Sequence, residues 1–235
     1  ALARRRHAGE PLAYLTGSRE FHGLALCVDA SVLIPRADTE TLVDLAIAAA
    51  PPGGRLLDLG TGSGAIAIAV GAARPELQLV ATDLSAAALR VAADNAARCL
   101  PPNRPGGPLR LFEGSWWQAL PADEPAFDLI VSNPPYIAAN DPHLRRGDLR
   151  FEPPAALASG RDGLDAIRAI VAGADRRIAA DGWLMLEHGH DQGEAVRRLL
   201  EAAGWRAARS HRDAGHRERV TIAKPPGLTL EGRRS

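Results

Sequence analysis

Residues 55–73 read RLLDLGTGSGAIAIAVGAA. Arg55 to Leu59 has the apolar character of a buried strand, and Ala65 to Ala73 is a run of small helix-forming residues. Between them Asp58-Leu59-Gly60-Thr61-Gly62-Ser63-Gly64 supplies three glycines, which let the backbone turn tightly and leave no Cβ to hold a ligand away. A strand that enters a helix through such a turn opens an α/β sheet. Ligands of such sheets bind beyond the carboxyl ends of the strands. No Gly-Lys-Ser/Thr follows, so this is not a phosphate-cradling loop. Its GxGxG spacing also departs from the GxGxxG dinucleotide pattern.

From that turn onward β-like and helical runs alternate. Gln78–Thr82 reads as a strand and Ser85–Cys99 as a helix with Ser85 as its N-cap. Strands follow at Leu109–Glu113 and Phe127–Ser132. A helix is expected over Asp165–Ala179, then a strand at Trp183–Glu187 and a helix over Gln192–Ala203 stopped by Gly204. Two closing strands, Trp205–Ser210 and Arg219–Ala223, leave no room for a helix and should form an antiparallel hairpin. This pattern predicts a mostly parallel, mixed sheet covered on both faces. Upstream, Arg19–Val28 (REFHGLALCV) reads as a β-hairpin, and Thr39–Ala50 as a helix capped by Asp38. Pro101–Pro108 reads as a loop and Pro225–Ser235 as a frayed tail.

Lys plus Arg and Asp plus Glu each number 28 among 235 residues, giving zero formal charge. That balance argues against a protein that grips long nucleic acid mainly through phosphate neutralisation. Cys27 and Cys99 stand far apart and form neither a CxxC pattern nor a disulfide framework, as expected of a reducing cytoplasm. Leu59–Ala73, the longest uncharged apolar stretch, is shorter than the ~18 residues of a membrane span. No signal-peptide pattern opens the chain. It starts at Ala1, and Arg4-Arg5-Arg6-His7 reads as the end of something longer.

Asp83 closes the second strand. A carboxylate there can accept hydrogen bonds from both hydroxyls of an adenosine ribose, or it can cap the helix that starts near Ser85. Nicotinamide dinucleotides and S-adenosylmethionine are the two ligand classes left open by turn and acid together. The fourth strand then ends in Ser132-Asn133-Pro134-Pro135-Tyr136-Ile137. Asn133 precedes proline and is pushed towards extended backbone, while Pro134 and Pro135 end the ladder and fix two φ angles. The Asn133 side-chain oxygen and the Pro134 carbonyl can thus act as a rigid pair of acceptors for a planar NH2 group, with Tyr136 as a flat neighbour. Such a site would orient a delocalised, poorly nucleophilic nitrogen towards a methyl donor. A plain turn at a strand end is the alternative. Together the motifs point to a methyltransferase acting on a planar amino group.

EPLAYLTG (10–17), Arg19-Glu20-Phe21, IPRADTE (34–40), DLGTGSGAIAIA, SNPPYI, Arg150-Phe151-Glu152-Pro153 and Glu187-His188-Gly189 resemble the bacterial peptide chain release factor glutamine methyltransferases. The likeness runs from Glu10 to Lys224. NPPY alone is shared with adenine amino-methyltransferases; the IPRxDTE and RFEP segments in this order are more specific. The resemblance implies a Rossmann-like, class I S-adenosylmethionine-dependent fold with a seven-stranded mixed sheet. It implies a remnant of an N-terminal helical domain over 1–18, a hairpin linker over 19–36, a methyltransferase domain over 37–225 and a flexible tail over 226–235. The substrate it implies is the glutamine of the Gly-Gly-Gln motif in class 1 release factors. It assigns cofactor contacts to Gly60, Thr61, Gly62, Ser63, Gly64, Asp83, Trp116 and Asn133. Substrate contacts fall to Asn133, Pro134, Pro135 and Tyr136, with Asn133, Pro134 and Tyr136 as the catalytic set. Ser115 stands where relatives carry an acid.

The same reading expects a cytoplasmic monomer with no metal, no membrane and no direct nucleic-acid partner. Arg145, Arg146 and Arg150 are read as a solvated charged loop. Trp117 is expected to pack in the core and His188 to be structural, since no third metal ligand lies at useful spacing. Arg36 and Glu40 either line the substrate channel or form an ion pair. Methylation of a nucleobase amine is the competing activity, and a cofactor-binding module without catalysis is the non-enzymatic one.

Overall fold

The computed structural model describes residues 2–227. Two short helices, α1 (Leu2–His7) and α2 (Leu12–Thr16), lead into a hairpin of β1 (Ser18–Phe21) and β2 (Leu24–Cys27). There follow α3 (Glu40–Ala49), β3 (Arg55–Leu59), α4 (Ala65–Ala73), β4 (Gln78–Asp83), α5 (Ala86–Cys99) and β5 (Arg110–Glu113). After them come β6 (Phe127–Ser132), α6 (Asp165–Ala174), β7 (Ile178–Glu187), α7 (Gly193–Ala202), β8 (Arg206–Arg212) and β9 (Glu218–Lys224). The main sheet runs β5-β4-β3-β6-β7-β9-β8. Its first five strands are parallel, and β9 lies antiparallel between β7 and β8. The seven-stranded mixed sheet and its closing hairpin are as expected.

Strand residues alternate between two cores, which is why these strands read as continuous apolar runs. Leu56, Leu79, Leu129 and Met185 join Leu42, Val43 and the α4 residues Ile66–Val70 on one face. On the other, Leu57, Val80, Ile130 and Leu184 meet Ile167 and Ile170 of α6 and Val196 and Leu200 of α7. The β1–β2 hairpin is fastened to α5 by the fully buried Asn95. Its Oδ1 accepts from Cys27 N–H at 2.7 Å, and its Nδ2 donates to the carbonyls of Cys27 (3.0 Å) and Ser63 (2.8 Å).

Beyond shifts of one or two residues at element ends, three features differ from the sequence reading. The sixth helix ends at Ala174, and β7 begins already at Ile178, paired with Phe127. Arg176–Ala180 contains no helix breaker, so local propensity carries no sign of the strand pairing that takes it over. Asp38 does not cap α3. A 3-10 turn, Ala37–Thr39, precedes that helix without a side-chain cap, and Asp38 instead faces Arg219 at 3.1 Å. The expected tail lies mostly outside the described residues.

Candidate active site

Chain order places the site. From β3 the chain moves outward to β4 and β5, then returns to β6 on the opposite side of β3. The carboxyl ends of β3 and β6 are therefore neighbours at the point where strand order reverses, the position at which open α/β sheets form a crevice. Ser132 Oγ at the end of β6 donates to the Leu59 carbonyl at the end of β3, 2.6 Å away. The glycine turn and the Asn-Pro-Pro-Tyr segment leave the sheet side by side.

They open on a cleft of about 350 Å³. Gly60, Thr61, Gly62, Ser63, Asp83, Trp116, Asn133 and Pro135 all line it. Gly64, Pro134 and Tyr136 do not. Gly64 has φ +82°, and a Cβ there would stand 2.6 Å from Ile68 Cδ1 and 3.2 Å from Ala92 Cβ. Glycine is needed at 64 for its positive φ and for the approach of α4 to α5. Its N–H closes the turn on the Thr61 carbonyl at 2.9 Å. Pro134 is buried, and the Tyr136 hydroxyl is turned inward to Glu187 Oε1 at 3.3 Å. Tyr136 thus backs the clamp and offers no lining to the cleft.

Asp83 faces the cleft and steadies the start of α5. That helix has Ser85 as its N-cap, as expected, with Ser85 Oγ accepting from Ala88 N–H at 3.2 Å. Asp83 Oδ1 accepts from Ser85 N–H at 2.8 Å and its Oδ2 from Gly62 N–H at 2.9 Å. The carboxylate is thereby locked between the glycine turn and the start of α5, and each oxygen keeps a further lone pair. Trp116 adopts φ +45°, a conformation costly for an aromatic residue and concentrated at functional positions. Its ring edge covers Gly60, where a Cβ would sit 3.4 Å from it. Exposed Leu84 adds an apolar wall beside Asp83.

Behind the turn, Asp58 is fully buried. Its Oδ2 accepts from Thr61 Oγ1 at 2.6 Å, while Oδ1 has no hydrogen-bond partner. Burial pushes this carboxyl up to about 6. Behind the clamp, Asn133 Nδ2 donates to Thr39 Oγ1 at 3.1 Å. Glu187, also fully buried, is pushed up to about 7 by desolvation, opposed by the Thr39 hydroxyl, Arg219 and the Tyr136 hydroxyl.

Sequence reasoning missed the far wall, built by Val32, Leu33 and Pro35 on one side and Pro153, Ala155 and Ala156 on the other. Glu152 joins the two segments: it accepts from Ile34 N–H at 3.3 Å and pairs with Arg36. Of the two alternatives, the structural ion pair is the one seen for Arg36, and neither Arg36 nor Glu40 lines the cleft. Arg36 pairs with Glu152, and Glu40 accepts from His22 N–H at 2.9 Å. Co-occurrence of IPRADTE and RFEP was the available signal. His188 is buried; its Nδ1 donates to the Gly189 carbonyl and its Nε2 meets the Thr221 hydroxyl, each at 2.8 Å. Trp117 lies half-buried on α6, donating to the Ala169 carbonyl at 3.1 Å. Arg150 donates to the Ala8 carbonyl at 2.7 Å, while Arg145 and Arg146 are exposed. No group of three metal-ligating side chains occurs among the described residues, and no helix there is long and apolar enough to cross a membrane.

Residues 36–146 match the family described as Methyltransferase small domain. The release factor glutamine methyltransferase of Xylella fastidiosa (strain Temecula1) is 52% identical to this chain over 230 residues, covering 97% of this chain and 81% of that protein. The Burkholderia pseudomallei protein of the same name is 52% identical over 233 residues, covering 97% and 80%. A solved methyltransferase from Pyrococcus furiosus shares the fold, with a TM-score of 0.64 over 95% of this chain and 98% of that one at 15% identity.

Proposed function

The chain belongs to the release factor glutamine methyltransferase family, and we propose that it transfers a methyl group from S-adenosylmethionine to the side-chain amide nitrogen of the Gly-Gly-Gln glutamine in class 1 release factors. One observation carries the reading. Asn133 sits on the same cleft as the glycine turn and Asp83, with its Nδ2 bound to Thr39 and its Oδ1 left for a donor from outside. A nucleobase amine as substrate is not favoured, because relatives at 52% identity over 97% of this chain are named for release factors.

In this reading Asp83 takes the ribose hydroxyls on its remaining lone pairs. Gly60–Ser63 would hold the amino-acid end, and Trp116 with Leu84 the adenine. The cofactor supplies an electrophilic methyl group on a sulfonium. Pro134 lines no part of the cofactor cleft. We assign its carbonyl, with Asn133 Oδ1, to the substrate side, where the two would accept hydrogen bonds from both N–H groups of the substrate amide and hold its nitrogen face-on to the methyl donor. Accepting both hydrogens also polarises the N–H bonds towards nitrogen, where an amide lone pair is weakest. Pro134 and Pro135 fix that geometry through their φ angles. We place the activity in the cytoplasm, where release factors act, with no direct nucleic-acid contact, in keeping with the neutral formal charge.

Methyl transfer from labelled cofactor to a purified class 1 release factor, with the labelled peptide located by mass spectrometry, tests this. Label on the Gly-Gly-Gln glutamine that forms about 10²- to 10³-fold more slowly in Asn133→Ala, yet still measurably, is the expected result. Label on RNA or DNA and none on protein would overturn it.

A further inference from the structure

The clamp works only if Asn133 presents oxygen and not nitrogen to the substrate. The two ends of an asparagine amide have nearly the same shape, so packing alone does not choose between them. A flipped Asn133 would aim its NH2 at the substrate NH2, donor against donor. The choice must come from a hydrogen bond on the side away from the cleft.

Thr39 makes that bond. Its Oγ1 accepts from Asn133 Nδ2 at 3.1 Å, and Thr39 is only 4% exposed. A hydroxyl can also donate, so Thr39 enforces the orientation only if its own hydrogen points elsewhere. Glu187, 1% exposed, is the buried carboxyl that the Thr39 hydroxyl influences: that hydroxyl is among the groups that favour its charged form. Glu187 Oε2 is buried without a hydrogen-bond partner, an acceptor left open for a hydroxyl hydrogen. Glu187 Oε1 receives the Tyr136 hydroxyl at 3.3 Å. In its ionised form, which predominates above about pH 7, Glu187 accepts and never donates, so it draws both hydroxyl hydrogens inward. The Thr39 oxygen is then an acceptor towards Asn133. Asp38 faces Arg219 at 3.1 Å, which fastens the turn carrying Thr39 to the strand beside Glu187.

We propose that Thr39, backed by Glu187, is a positioning residue for methyl transfer: by accepting from Asn133 Nδ2 it holds the Asn133 oxygen towards the substrate amide. This rests on the function proposed above and assigns a task to two residues outside the substrate clamp.

The test is a double-mutant cycle on methyl transfer at saturating cofactor. Thr39→Val keeps the shape and removes the hydroxyl, whereas Thr39→Ser keeps the hydroxyl. Thr39→Val is expected to lower kcat roughly tenfold with KM for S-adenosylmethionine within about twofold, and Thr39→Ser to recover most of the loss. In an Asn133→Ala background Thr39→Val should cost nothing more, because the bond it removes is already gone. Undiminished kcat in Thr39→Val, or a full additional loss in the Asn133→Ala background, overturns the inference.

A second measurement needs no turnover, so failure of the function reading and failure of this inference remain separable. In 15N-labelled protein the Asn133 side-chain NH2 signals are identified by their loss in Asn133→Ala. They are expected to shift in Thr39→Val and Glu187→Gln and to hold their position in Thr39→Ser. Signals unmoved by Thr39→Val overturn the inference whatever the activity.

Discussion

Ser132 Oγ reaches the Leu59 carbonyl at 2.6 Å, so the two strands that deliver the glycine turn and the Asn-Pro-Pro-Tyr segment are joined at their last residues. Ser132 is fully buried, and neither group has water to fall back on. Ser132→Ala is expected to destabilise the fold by about 1–3 kcal/mol, the cost of leaving a buried carbonyl short of a donor. Because the bond also sets the spacing between cofactor and clamp, kcat should fall more than the urea midpoint alone explains. Kinetics at a temperature where the variant is fully folded separate the two effects, and unchanged kcat there would restrict Ser132 to stability.

Asp83 carries two burdens at once, pinning Gly62 and Ser85 and facing the cleft. Charged hydrogen bonds contribute about 1.5–3 kcal/mol each, so Asp83→Ala should weaken cofactor binding about 10- to 100-fold or more. Titration calorimetry with S-adenosylmethionine measures this directly. Binding within about twofold of wild type would reduce Asp83 to a structural anchor between the glycine turn and Ser85.

Fold and site were legible to different depths, for physical reasons. Strands β3, β4 and β6 declare themselves because both faces are buried, and the glycine turn because its three positive φ angles admit few other residues. Asp83 and Asn133 could be read because strand ends bring them to the cleft by local chain geometry. Thr39 and Glu187 could not, since each acts through a partner far away in sequence: Asn133 for one, Tyr136 for the other. Gly64 carries a demand that the motif alone does not announce: with φ +82°, a Cβ there would also meet Ile68 and, on another helix, Ala92.

Asn95 shows the same dependence on distant partners. One buried amide ties Cys27 at the hairpin and Ser63 in the glycine turn to α5. Asn95→Ala removes three hydrogen bonds and leaves their partners buried, so a loss of about 3 kcal/mol is expected. Cofactor affinity should drop as well, since the Ser63 carbonyl is one of the anchors of the turn. Chemical denaturation and cofactor titration of the same variant check both parts; a loss of stability with unaltered affinity would show that the turn holds without this anchor.

Two buried carboxyls make the same demand on pH, at different midpoints. Asp58 is pushed up to about 6 and Glu187 to about 7, in both cases first by burial. Asp83 adds to the rise at Asp58, and Asp38 to that at Glu187; at Glu187 the Thr39 hydroxyl, Arg219 and the Tyr136 hydroxyl pull the other way. A carboxyl whose folded value lies above its unfolded one binds protons more tightly in the native state. Its stabilising contribution is complete below the ordinary carboxylate range and is lost as pH rises through about 6 for Asp58 and about 7 for Glu187. Glu187→Gln, fixed in a neutral form, should therefore gain stability relative to wild type between about pH 5 and pH 8. Asp58→Asn should do so with a lower midpoint. Melting temperatures of wild type and variants across that range test the sign, and a constant difference would mean that these groups do not change protonation on unfolding. The charged form of Glu187 that weakens the fold is the one that draws the Thr39 hydrogen away from Asn133. Loss of kcat in Glu187→Gln, alongside its gain in stability at high pH, is the expected pairing.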